Sequence, residues 1–206
     1  MKKRSTIGLF VMLVFIVPVT AWALLNLYER KMEALPVIGK TKEHIISDFT
    51  LTNQDGLEKS TANWKNKIVV ANFFFTHCPV ICPKMTNHLK MVNKVFENDT
   101  TVLINSFSVD PERDSAAQLK KYAAHFAINT RNWNLLTGDK KEIYKLARNS
   151  FMIVATDGDG GPEDFIHSEK LMLIDKQRRI RGYYDGTNDK EAGQLINDIK
   201  KLKHED

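Results

Sequence analysis

Cysteine is scarce in this chain: its 206 residues contain only Cys78 and Cys82, so no more than one disulfide can form within it. The sequence also lacks internal repeats, low-complexity tracts and a basic patch of the kind that binds nucleic acid. The formal net charge is +5, but the first four residues supply three of the positive charges without an acidic neighbour, and the rest is nearly balanced. The hydrophobic fraction of 43% is ordinary for a globular domain with a core. We therefore expect one domain with an appendage and no nucleic-acid partner.

Charged residues are absent from residues 7–27, which follow a basic N-terminus. About 20 apolar residues in a helix cross the hydrocarbon core of a bilayer. The basic flank predicts a cytoplasmic N-terminus and a domain on the extracytoplasmic, periplasmic side. A small-x-small pattern at residues 21–23 also fits a cleaved signal peptide, but the apolar run continues beyond it, which favours a retained anchor. The predicted organisation is a membrane anchor or signal sequence at 1–28, a tether at 29–47 and a domain at 48–206.

Hydrophobic periodicity predicts an α/β domain. The run from Lys67 to Phe75 is almost continuously apolar, as in a central strand that is buried on both faces. Strand and helix patterns then alternate, and a strand hairpin and a helix close the chain, which indicates a thioredoxin-like sheet flanked by helices. The predicted elements are strands at 49–52, 67–75, 102–109, 133–136, 170–174 and 180–184, and helices from Lys84 to Phe96, from Asp114 or Ser115, from Asp139 and from Lys190.

The two cysteines lie between a buried strand and a helix, in the segment from Phe75 to Pro83. A parallel α/β sheet exposes its chemistry at the carboxyl ends of its strands. A helix N-terminus lowers the pKa of a thiol, and a thiolate is both a nucleophile and a ligand for soft metals. An inert disulfide is the alternative, but a loop this short removes little entropy from the unfolded chain. The context therefore favours redox cycling or metal binding.

Six histidines are candidates for a third ligand. His44 and His204 fall in the predicted tether and tail, His88 and His125 fall within helices, and all four are expected at the surface. His77 adjoins Cys78 but follows the strand. His167 follows a long loop rich in Asp and Gly, which in a thioredoxin-like fold lies on the same side as the cysteines. Two thiolates and an imidazole suit Cu(I), and with an added water or carboxylate they suit Cu(II). Structural zinc normally takes four protein ligands, which favours copper.

Three segments resemble the signature segments of the Sco/SenC family: residues 78–83 (CPVICP), 108–114 (SVDPERD) and 164–168 (DFIHS). Residues 136–138 (LTG) and the N-terminal apolar stretch also fit, and the resemblance runs in the right order over about residues 40–203. Members of this family are membrane-anchored, thioredoxin-like, copper-binding proteins. They help to assemble the dinuclear copper centre of cytochrome c oxidase subunit II, as copper donors, as thiol reductants or as both.

The resemblance implies that Cys78 and Cys82 are copper thiolates and that His167 is the third ligand. It implies a supporting role for Asp110 and Arg113, which shape the loop beside the site through an ion pair. This chain departs from many relatives at Val80, where they carry an Asp between the cysteines. The absence of that carboxylate makes the site less acidic and puts the affinity for Cu(II) and the choice of partner in doubt.

Two functions follow. The first is a copper metallochaperone that is not an enzyme and that passes copper to a thiolate-rich acceptor such as cytochrome c oxidase subunit II. The second is a membrane-anchored thiol–disulfide reductase in which Cys78 attacks a disulfide of an extracytoplasmic target and Cys82 resolves the mixed disulfide. Both require a thiol reductant to restore the pair. A peroxidase is disfavoured because Thr76 lies only two residues before Cys78. An interaction module with an inert disulfide is the remaining alternative.

Overall fold

The computed structural model describes residues 12–41, 43–153, 166 and 168–205, with the backbone alone for 27–33. The chain divides into two compact units, residues 1–34 and 35–206. In the first unit, a π-helical turn (Met12–Ile16) leads into helix α1 (Val17–Glu33). The side chains from Met12 to Leu25 are all exposed. Within the described ranges, no helix combines the length and the apolarity needed to cross a membrane. The first eleven residues of the predicted anchor, 1–11, lie outside those ranges, and the anchor stays a prediction.

The second unit is built on one seven-stranded sheet in the order β2-β1-β5-β4-β3-β6-β7. The three central strands β3, β4 and β5 are parallel, and the pairs on either side of them are antiparallel. The α/β prediction is confirmed, and the sheet is mixed because two antiparallel hairpins flank its parallel centre. The strands are β1 (Thr50–Asn53), β2 (Glu58–Ser60), β3 (Ile68–Phe74), β4 (Val102–Ser108), β5 (Trp133–Thr137), β6 (Lys170–Ile174) and β7 (Ile180–Asp185).

Three of the domain helices begin at residues whose side chains cap them: Ser115, Asp139 and Asn188. Ser115, not Asp114, caps the second domain helix, because its Oγ accepts from the backbone N–H of Gln118 at 3.3 Å. Asp139 accepts from the N–H of Glu142 at 2.8 Å, as the sequence predicts. The helices are α2 (Ile81–Val95), α3 (Ala116–His125), α4 (Lys140–Lys145, continued by a π-helical turn at Leu146–Ser150) and α5 (Asp189–Leu202).

Strand β3 divides the core into two layers. Its residues alternate between the faces of the sheet, so that Val70 and Phe74 pack with Met85 of α2, and Val69 and Phe73 pack in the other layer. Every residue of β3 is buried. Each large apolar side chain buried in this way stabilises the fold by about 1.5–3 kcal/mol. The carboxyl end of β3 is thereby fixed at the point where the cysteine segment begins.

The predicted tether ends earlier than the sequence suggests, because residues 35–47 belong to the compact domain. The backbone N–H of Ile38 donates to the carbonyl of Ile180 at 2.8 Å, and Ile46 is fully buried. Arg181, which is only 6% exposed, donates to the carbonyl of Leu35 at 2.6 Å. Charged residues of both signs are mixed with the apolar ones in this segment, and the few apolar residues involved contact strands far along the chain. The local sequence pattern therefore does not reveal this packing.

Candidate metal and thiol centre

The two cysteines occupy different elements. Strand β3 ends at Phe74 and α2 begins at Ile81, three residues before the predicted start of this helix. Cys82 therefore lies in the first turn of α2, whereas Cys78 lies in the preceding turn and donates its backbone N–H to the carbonyl of Phe75 at 3.3 Å. The two cysteines therefore do not lie on one helical face, because Cys78 precedes the helix.

The Cys78 sulfur takes the place of a helix cap. The backbone N–H of Cys82 donates to Cys78 Sγ at 3.3 Å, and both thiols are free. Val80, at the N-cap position, makes no capping hydrogen bond with its side chain, and Pro83 has no N–H to offer. The free N–H donors of the first helical turn are thus directed at the sulfur of Cys78.

The two thiols have opposite pKa shifts. Partial burial opposes ionisation of Cys78, but hydrogen bonds from the backbone of Val80, Ile81 and Cys82 and from the Cys82 side chain outweigh it and lower the pKa. Burial raises the pKa of Cys82 to about 12, since this thiol is only 4% exposed. Cys78 accordingly ionises more readily than Cys82.

Both cysteines border one cavity of about 520 Å³. Most of its walls are apolar and come from the end of β3, the start of α2 and the segment before β6. Val80, which is 54% exposed, lies at its edge. The lining residues are Phe73, Phe74, Phe75, Cys78, Pro79, Val80, Ile81, Cys82, Val109, Ile153, Ile166, Ser168, Glu169 and Lys170. The site is therefore a mainly apolar hollow with two sulfurs at its base.

His167, the predicted third ligand, lies outside the described residues. Its neighbours Ile166 and Ser168 are described, and both line the cavity that holds the cysteines. The described part of the chain contains no group of three side chains able to hold a metal. The ligand role of His167 thus stays a prediction.

Asp110 and Arg113, which are predicted to support the site, form an ion pair in which Arg113 Nε lies 3.6 Å from Asp110 Oδ2. Arg113 is mostly exposed, so the energy of this pair is small. The sequence analysis missed Asp114, which is fully buried and accepts from Ser108 Oγ at 2.6 Å and from the backbone of Thr76 at 3.0 Å. An acidic residue just before a helix predicts a cap, so only the packing reveals its role.

Two histidines that the sequence places at the surface make specific contacts. His44 Nε2 lies 2.8 Å from the carbonyl oxygen of Ser150. His88 bridges α2 and the start of α5, with Nδ1 2.7 Å from the Gly186 carbonyl and Nε2 2.6 Å from Asp189 Oδ1. His125 and His204 are exposed as predicted. Neither His44 nor His88 lines the cysteine cavity, so neither competes with His167 as a ligand.

The family model described as SCO1/SenC matches residues 39–204, almost the whole of the domain that carries this centre. The chain belongs to the SCO1/SenC family. It is 35% identical over 157 residues to the SCO1 protein homolog of Bacillus subtilis (strain 168), covering 75% of this chain and 81% of that protein. It spans 45–60% of the length of the mitochondrial relatives that it matches in mouse, Arabidopsis, cattle, human and zebrafish.

Solved structures of Sco proteins share the fold. The structure of BsSco, described as a cytochrome c oxidase assembly protein with a disulfide switch, is 33% identical. Its TM-score is 0.68, over 79% of this chain and 95% of that one. Copper-bound ScoI of Bradyrhizobium japonicum is 27% identical with a TM-score of 0.62, over 77% of this chain and 99% of that one. The predicted thioredoxin-like Sco fold is confirmed.

Proposed function

We propose that this chain binds copper through Cys78, Cys82 and His167 and delivers it to the dinuclear copper site of cytochrome c oxidase. One observation carries the proposal: Ile166 and Ser168, on either side of His167, line the same cavity as both cysteines. The chain next to His167 is thus held beside the two sulfurs. A copper-bound relative and a family of oxidase assembly proteins support the same function.

The proposed ligands suit Cu(I), the ion that we propose this chain delivers. Two thiols four residues apart and an imidazole form a soft set of two sulfurs and one nitrogen, which suits Cu(I). A mainly apolar cavity limits the access of water to these donors. Cys78, the more exposed sulfur, is the ligand that an incoming thiolate of the acceptor displaces first, while the buried Cys82 keeps its position. Cytochrome c oxidase subunit II is the proposed acceptor.

A second candidate function is reduction of a target disulfide, which the unequal thiols favour. Cys78, with a lowered pKa, attacks one sulfur of the target disulfide, whose other sulfur leaves as a thiolate and takes a proton from water. Cys82 loses its proton to solvent, attacks Cys78 Sγ and releases the second target thiol. Two electrons pass from the pair to the target, and an extracytoplasmic thiol reductant restores the pair. The disulfide switch of BsSco supports this alternative.

We further propose that residues 7–27 anchor the chain in a membrane, with the N-terminus in the cytoplasm and the domain outside it. The observation in favour is that the described side chains from Met12 to Leu25 are exposed all round the helix although most are apolar. Apolar side chains exposed on every face of a helix are stable in lipid and costly in water.

The deciding experiment is a titration of Cu(I) into reduced protein containing residues 30–206, against a competing chelator. We expect tight 1:1 binding that requires both cysteines and that weakens at least about ten-fold, roughly 1.4 kcal/mol, in His167→Ala. Ser168→Ala is the matched control, since it changes a neighbouring side chain of the same cavity without removing a proposed ligand. Equal affinities of His167→Ala and the wild type would exclude the three-ligand site and favour the reductase.

A further inference from the structure

Cys78 borders a second hollow that Cys82 does not line. This hollow, called here the Lys121 groove, has a volume of about 340 Å³. Its walls are Pro83 from the first turn of α2 and Lys121, Tyr122 and His125 from α3. The volume is at the lower end of the roughly 300–1,000 Å³ typical of ligand sites. Cys78 is thus approachable from two sides, of which one is the cavity that also contains Cys82.

Apart from the Cys78 thiol, the charged side chain that lines the Lys121 groove is cationic. None of the described residues that line it is acidic, and Lys121 is an exposed ammonium with no ion-pair partner in the described part of the chain. Its neighbour Lys120 differs, because Lys120 Nζ is paired with Asp55 Oδ1 at 3.1 Å. The nearby Asp114 is fully buried and its oxygens accept from Thr76 and Ser108. The free charge in the groove is therefore positive.

Two aromatic side chains, Tyr122 and Phe126, line the groove. The rings of Tyr122 and Phe126 lie 4.6 Å apart, and the Tyr122 hydroxyl is 2.8 Å from Thr86 Oγ1 inside the core. A hollow lined by aromatic side chains, a lysine and a cysteine suits a short extended peptide. A partner segment with carboxylates beside its own cysteine matches these features.

We propose that the Lys121 groove receives an acidic, cysteine-bearing segment of the protein that exchanges copper or electrons with Cys78. This rests on the proposed function, since it names the class of partner that the same centre serves. Both cysteines line the cavity shared with Cys82, and the groove gives the incoming sulfur a separate approach to Cys78. Lys121 attracts the carboxylates of the segment and orients its sulfur towards Cys78 Sγ.

The test measures how fast Cys78 reacts with charged peptides. Full-length protein carrying Cys82→Ser, reduced and in a neutral detergent, is mixed with three short peptides whose cysteine is activated as a 2-thiopyridyl disulfide. The cysteine is preceded by two Asp, two Ser or two Lys residues. The Cys78 thiolate attacks the peptide sulfur, a mixed disulfide forms, and the released 2-thiopyridone, which takes up a proton, reports the rate. Each variant is compared with its parent for the same peptide, which cancels differences in peptide reactivity.

We expect Lys121→Gln to slow the acidic peptide about three-fold, to leave the Ser peptide unchanged and to speed the basic peptide. The effect should shrink at high salt, because exposed charges are screened. Lys120→Gln is the matched control on the same helix, with the same loss of charge, and should leave all three rates unchanged. An unchanged acidic-peptide rate in Lys121→Gln, or an equal effect of Lys120→Gln, would overturn the proposal.

A measurement of Cu(I) binding distinguishes a failure of the groove proposal from a failure of the proposed metallochaperone function. Lys121 is not a proposed ligand, so full-length Lys121→Gln should bind Cu(I) as tightly as the wild type. If the wild type binds Cu(I) but its peptide rates do not depend on Lys121, the groove proposal fails alone. If the wild type does not bind Cu(I) and the peptide preference is present, the metallochaperone function fails and the groove serves a disulfide-bearing partner.

Discussion

Asp114 and Thr76 are joined by two hydrogen bonds, one from the backbone N–H of Thr76 at 3.0 Å and one from its hydroxyl. Thr76 lies between the end of β3 and Cys78, and Asp114 follows β4 and precedes α3. The same carboxylate accepts from Ser108 Oγ at the end of β4. A single buried carboxylate thus ties the cysteine segment to the neighbouring strand and fixes the start of the turn that carries Cys78.

We expect Asp114→Asn to lower the free energy of unfolding by about 1–3 kcal/mol, because the neutral amide cannot replace the carboxylate as acceptor for all three donors, of which the Ser108 hydroxyl is fully buried. Urea unfolding of the reduced domain measures this. Arg113→Gln, on the adjacent residue, is the control: its ion pair with Asp110 is exposed, so its effect should stay below about 1 kcal/mol. Equal losses of unfolding free energy in the two variants would show that the hydrogen bonds of Asp114 do not stabilise the domain more than the exposed ion pair does.

The two thiols should differ in their reaction with iodoacetamide. A lowered pKa increases the thiolate fraction at a given pH, so Cys78 in Cys82→Ser should reach half-maximal reactivity below the pH at which an unfolded control peptide does. Burial raises the pKa of Cys82 to about 12, so Cys82 in Cys78→Ser should react only at strongly alkaline pH. Mass spectrometry of quenched samples gives both rates. A faster Cys82 would show that its burial does not protect it.

Val80→Asp should raise the pKa of Cys78. An Asp at this position accepts a hydrogen bond from the N–H of Cys82, which now donates to Cys78 Sγ, and it places a negative charge beside the thiolate. The measurement is again the pH dependence of Cys78 alkylation in the Cys82→Ser background. Val80→Asn separates the two causes, since it supplies the competing acceptor without the charge. An unchanged profile in both variants would mean that Val80 has no influence on the thiol.

A chain that begins at residue 48 should be less stable than one that begins at residue 30 by at least about 3 kcal/mol. The shorter chain lacks the fully buried Ile46 and the carbonyls of Leu35 and Pro36, to which the buried Arg181 donates. Thermal and urea unfolding of both chains test this. Equal stabilities would restore the domain boundary that the sequence predicts.

The family and the position of the cysteine pair could be predicted from the sequence, because both depend on short-range patterns. The apolar run that forms β3, the helical periodicity of α2 and the two cysteines between them are local features. The strand hairpin from Lys170 to Asp185 was likewise predicted to within a residue. Three separated segments in the right order then identified the Sco/SenC family.

The start of α2 was harder to predict, since Pro79 and Pro83 flank the cysteines and obscure the helical pattern. The structure starts the helix at Ile81, which separates Cys82 in the helix from Cys78 before it. The contribution of residues 35–47 to the domain was also hidden, because Ile38 and Ile46 contact residues about 140 positions away. Neither feature has a local signature.

The sequence by itself determined the fold class and the family, since these follow from residue types and their order. Only the tertiary structure decided that Cys78 is the reactive thiol and Cys82 the protected one, because burial depends on which distant segments cover each sulfur. Tertiary packing also makes Asp114, a predicted cap, a buried link between two strand ends. Among the described residues it leaves Lys121, which lines the same groove as Cys78, without an ion-pair partner. The charge and reactivity of this centre are thus set by contacts between segments far apart in the chain.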